Sequence, residues 1–94
     1  MAFSQEAAET IAVQALAWLA STDDLLQSFM GASGLAPEDL RAQAGDPALA
    51  GAVLDFILMD DAWVVGFCDT IRLPYADLAL VRASLPGGAQ MHWT

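Results

Sequence analysis

Apolar positions in the first third of the chain recur three and four residues apart, the spacing of a helix that buries one face. Ala8, Ile11, Ala12, Ala15, Leu16 and Leu19 form such a face over 5–20. Ser4 stands where an N-cap belongs and Glu6 near the positive end. Leu25, Leu26, Phe29 and Met30 make a second stripe, with Thr22 or Asp23 as its cap and Gly34 placed to end it in a left-handed turn. Pro37 suits the first turn of a short third helix ending near Gly45, and Asp46-Pro47 repeats the start signal for a fourth over about 47 to 59. Asp60 or Asp61 caps a fifth, whose stripe is Trp63, Val64, Phe67, Cys68 and Ile71. Pro74 opens a sixth that runs to about Leu85, where Pro86-Gly87-Gly88 stops it.

Strands find no support in this pattern. The chain holds 19 alanines and 13 leucines, and its β-branched residues are too scattered for alternating runs. The expectation is an all-α fold: a compact bundle of about six short helices in one domain over 1–86, followed by a glycine-hinged tail over 87–94. An offset of 38 residues aligns the two halves. It places Ala12, Leu16, Asp23, Phe29, Leu35, Asp39 and Leu40 on Ala50, Leu54, Asp61, Phe67, Leu73, Asp77 and Leu78. Two similar three-helix units, about 12–45 and 50–83, explain the match; chance likeness between amphipathic stretches is the alternative.

Charge narrows the function classes. Twelve acids against three arginines give a net charge of −9, a field that repels phosphate backbones and anionic lipid. Nucleic acid and membrane surfaces are therefore not expected partners. At 56 % apolar residues the chain is too hydrophobic to stay disordered. The runs Ala15 to Ala20 and Ala62 to Cys68 fall far short of the roughly 20 residues that cross a bilayer. Glu6 and Glu9 near the N-terminus are unlike the positive opening of a secretory signal, so the expected address is cytoplasmic. Cys68 is alone, which excludes an intrachain disulfide and a multi-thiolate metal site.

The run Leu54-Asp55-Phe56, the pairs Asp60-Asp61 and Phe67-Cys68, and the closing Leu85-Pro86-Gly87-Gly88, with Asp46-Pro47 upstream, carry a resemblance. Together they resemble a family of short proteobacterial proteins classed as a domain of unknown function. The likeness covers nearly the whole chain. Its motifs are helix caps and core residues, so it implies an all-helical single domain and transfers no catalytic or binding residue.

Candidate chemistry is thin. Cys68 beside Asp69, with His92 as the single histidine, invites a thiol nucleophile activated by imidazole. Cys68 nevertheless lies on the apolar stripe, where a thiol is normally buried and inert, and His92 sits on the tail. Asp55, Asp60, Asp61 and Asp69 lack the glycine and closing Glu of a calcium loop, and capping accounts for Asp60-Asp61. Asp55 interrupts an otherwise apolar helix and is the candidate for a buried ion pair. In a chain without lysine its partner is Arg41, Arg72 or Arg82; a narrow solvent-facing strip centred on Asp55 is the alternative. No catalytic residue, cofactor or metal site is assigned.

Surface arithmetic points to association. A domain of this size buries only about 60 to 65 % of the surface that its unfolded chain exposes. Trp18, Met59, Trp63 and Trp93 are too many large apolar groups for one small core, and exposed apolar patches mark interaction sites. The expectation is a non-enzymatic helical interaction module that forms a homodimer or docks on one protein partner. The alternative is a small-molecule binder or minor enzyme with a pocket near Asp55 and Cys68.

Overall fold

The computed structural model describes residues 3–22, 24–43 and 45–85, and among these the fold is all-α. Six helices follow in order: α1 (Gln5–Ala20), α2 (Leu25–Ser33), α3 (Pro37–Ala42), α4 (Pro47–Leu58), α5 (Asp61–Ile71) and α6 (Asp77–Ala83). Ser4 caps α1 by accepting the Ala7 N–H at 3.0 Å, and Asp46 caps α4 by accepting that of Ala48 at 2.9 Å. The inward stripe of α1 is Ala8, Ala12, Ala15 and Leu19, all buried. Small side chains there let α4 lie close, and α1 packs on α4 more extensively than any other pair. Because α4 carries one charged residue, it can be covered on nearly every side; it is the central helix, also touching α2, α5 and α6.

Three helix ends differ from expectation, two of them for a visible local reason. The Thr22 hydroxyl does not cap α2; it donates back to the Trp18 carbonyl at 2.6 Å and so closes α1 instead. Asp24 occupies the α2 N-cap without a side-chain bond, and Asp23 lies outside the described residues. The helix expected from Pro74 begins only at Asp77. There the chain first makes i to i+3 bonds, from the Asp77 N–H to the Pro74 carbonyl at 2.9 Å and from the Leu78 N–H to that of Tyr75 at 3.3 Å, which is a tight turn before the helix. The third helix ends at Ala42, short of Gly45.

The 38-residue offset reappears at two pairs of helix ends, though not at α3 and α6. Helices α1 and α4 end at Ala20 and Leu58, α2 and α5 at Ser33 and Ile71, each pair 38 apart. The following residues, Gly34 (φ +78°) and Arg72 (φ +59°), both turn left-handed, and their N–H groups bond the carbonyls of Met30 and Cys68. Arg72 thus stands where the first half has glycine. Aromatic contacts exchange in the same way: the rings of Trp18 and Phe67 lie 5.9 Å apart, those of Phe56 and Phe29 5.4 Å apart. Each pair reaches from one half into the other. Gly66 makes the first possible, since a Cβ there would stand 3.0 Å from the Trp18 ring.

Candidate functional site

One face of α2 and the elbow joining α4 to α5 enclose a seam with two successive depressions. The first, about 430 Å3, is lined by Trp18, Leu25, Ser28, Ala62 and Trp63, with Asp24 and Thr22 at its edge. The second, about 230 Å3, lies farther along α2 against Phe29, Ala32 and Ser33, with Ala52, Phe56 and Met59 opposite. These α2 positions are three and four apart and therefore share a face. A row of rings separates the depressions: Phe29 meets Phe56 edge-on, and Phe56 stacks on Trp63 with centroids 4.7 Å apart. The Asp60 carboxylate fixes the elbow by accepting the Ala62 and Trp63 N–H groups at 2.8 and 3.3 Å.

Of the residues singled out as interaction candidates, Trp18 and Trp63 are half-buried on this seam and Met59, at its lip, is 73 % exposed. Trp93 lies outside the described residues, as do His92 and the whole tail over 87–94. Leu25 is a part of the site that the sequence reasoning missed. At the 38-residue offset Leu25 is the counterpart of Trp63, and that was the available signal.

Asp55 lines the second depression and pairs with Arg82. The contact is bidentate, Nε to Oδ1 at 2.7 Å and NH2 to Oδ2 at 3.1 Å. Burial is distributed against expectation: the Arg82 side chain is 12 % exposed and that of Asp55 43 %. Carboxylate and solvent meet at the rim, while the guanidinium lies flat on α4. Gly51 leaves it that space, since a Cβ there would stand 2.9 Å from its central carbon.

Cys68 is fully buried and lies behind a separate, open depression of about 390 Å3 formed by Asp69, Arg72, Leu73, Pro74 and Tyr75. Asp55 and Cys68 thus line different depressions. Burial, and then the charges of Asp69 and Asp77, push the thiol above its ordinary value of 9.0, so it stays protonated and a poor nucleophile. The Tyr75 hydroxyl donates to Asp69 Oδ1 at 2.6 Å, which holds the phenol above its usual range. Both groups keep their protons more tightly in the folded chain than in the unfolded one. The stability these two groups contribute is therefore present below pH 9.0 and declines as the pH rises past that value. We expect urea midpoints that are level between about pH 7 and 9 and fall above it, with Cys68→Ala flattening the fall. A midpoint unchanged up to about pH 10.5 would contradict the burial of the thiol.

No group of three or more His, Cys, Asp or Glu side chains is placed to hold a metal ion among the described residues. Nor is any helix there long and apolar enough to cross a membrane. The chemistry offered by the seam is apolar and aromatic contact under an acidic edge.

Comparison with curated proteins and with solved structures gives no match. A family model described as "Protein of unknown function (DUF3572)" matches residues 5–88, a span that takes in all six helices, the α2 face and the α4–α5 elbow. By that match, and in keeping with its caps and buried stripes, the chain belongs to the DUF3572 family of proteins of unknown function.

Proposed function

We propose that this protein is a non-enzymatic helical interaction module of the cytoplasm that self-associates or docks on a protein partner through Trp18, Met59 and Trp63. The observation that carries the reading is the seam itself: two half-buried indoles and a methionine at 73 % exposure, continuous through Phe56 with the core. Leaving such a surface in water forgoes about 25 cal/mol for each Å2 that a partner would cover. Of the carboxylates near it Asp60 is engaged in a cap and Asp55 in an ion pair, and Cys68 is held as a thiol. A small-molecule site or minor enzyme near Asp55 and Cys68 would need one pocket reaching both, and these residues open on different depressions.

The test is a pair of measurements on the whole chain and on Met59→Asp, whose exposed position keeps the core out of the comparison. Light scattering reads self-association, and crosslinking in the native extract reads heteromeric complexes. The wild type should appear in a complex by one of the two, and Met59→Asp should lose it. A monomer without companions in both, or a complex indifferent to Met59→Asp, would overturn the proposal.

A further inference from the structure

We infer that the seam receives a basic amphipathic helix of a partner protein, lying along α2 with apolar residues in both depressions and lysine or arginine over the acidic edge. The inference rests on the interaction reading above and names its partner class. Shape is the first argument. The nine residues of α2 extend about 13 Å, which matches two to three turns of a helix laid beside it. The depressions, one at Leu25 and Ser28 and the next at Phe29, Ala32 and Ser33, succeed one another along that length. Side chains at i, i+3 or i+4, and i+7 of a docked helix meet such a surface in turn.

Charge selects the sign of the partner. Asp24 lines the seam, and Asp60 and Asp61 stand on the elbow beside Ala62 and Trp63. Among the described residues no arginine lines either depression, Arg82 lying behind Asp55 against α4. Helices α1 and α4 both end here, at Ala20 and Leu58, and neither has a basic residue in its last turn, so their partial negative charge is not offset locally. The N-terminus of α5, which would attract anions, is already satisfied by Asp60. A second copy of this chain brings the same acids to the same edge and a charge of −9 of its own, which disfavours it as the occupant. A cationic helix replaces that repulsion with attraction and gains from the half-buried Trp63 ring that lines the first depression as well.

The experiment uses the full chain and two fluorescein-labelled model peptides of about 18 residues, long enough to be helical. One has leucine on one face and lysine on the other; its counterpart has glutamate in place of lysine. Anisotropy titration should give low-micromolar binding of the lysine peptide, weakened severalfold by about 0.5 M salt, and binding of the glutamate peptide at least about tenfold weaker. Attraction to overall charge is controlled with two double variants that gain the same positive charge at exposed positions. Ser28→Arg with Met59→Lys, on the seam, should weaken the lysine peptide about tenfold; Gln14→Arg with Ala79→Lys, off it, should leave binding within about twofold. Equal affinity for both peptides, or equal loss in both double variants, overturns the inference. If neither peptide binds while the wild type is a dimer that Met59→Asp dissociates, the basic-helix inference fails and the interaction reading stands. If neither peptide binds and the protein has no companion, both fail.

Discussion

Phe67→Ala should lower stability by about 3–5 kcal/mol, the usual cost of deleting a fully buried aromatic ring. Phe67 has no exposed surface and supports Trp18 from below, so the loss includes a ring pair as well as a cavity. For a domain of this length each kcal/mol moves the melting temperature by about 4–8 °C, and the expected drop is about 12 °C or more. Phe29→Ala removes the counterpart ring, which meets Phe56 from the other half, and should cost a similar amount. Thermal melts followed by circular dichroism decide this. A drop of under about 5 °C for either variant would mean that the core can close around the missing ring.

The second large effect concerns Asp55. Asp55→Ala strips the carboxylate from a guanidinium that is held against α4 at 12 % exposure, and should cost about 2–3 kcal/mol. The figure lies below the 3–5 kcal/mol typical of fully buried pairs because Asp55 is 43 % exposed and water screens it. Combining Asp55→Leu with Arg82→Met should recover most of the loss, since both charges then leave together and the volume stays apolar. A cycle of urea midpoints over the single and double variants measures the coupling. Additive effects, with no recovery in the double variant, would show that the two side chains meet without stabilising each other.

Much of the fold is legible because the caps and stripes agree. Ser4 with the alanine stripe fixes α1, Asp46-Pro47 fixes the start of α4, and the near absence of charge along α4 marks it as central. The missed ends turn on competition between local bonds. The Thr22 hydroxyl takes the Trp18 carbonyl and leaves α2 uncapped, while Pro74 opens a turn that has to finish before α6 can start. The site was legible only in its ingredients. That Trp18 nests on Gly66, or that Arg82 and not Arg41 or Arg72 meets Asp55, depends on which helices are neighbours, and periodicity says nothing of that order. Asp55 stands out in the sequence as a polar residue in an apolar helix. The deeper partner was the arginine, whose long apolar stem lets its charge be covered more cheaply than a carboxylate on a single methylene.

The crossed ring pairs, Trp18 on Phe67 and Phe56 on Phe29, make this polypeptide resemble two protomers joined end to end. In a symmetric homodimer every substitution appears twice, so a change that suits a ligand on one side is imposed on the other. A single chain with two like halves is free of that constraint. At the 38-residue offset Met59 and Trp63 correspond to Ser21 and Leu25, and Arg72 to Gly34, so the two halves carry different side chains at matching positions. Asymmetry of this kind is open to a duplicated chain and closed to a pair of identical subunits.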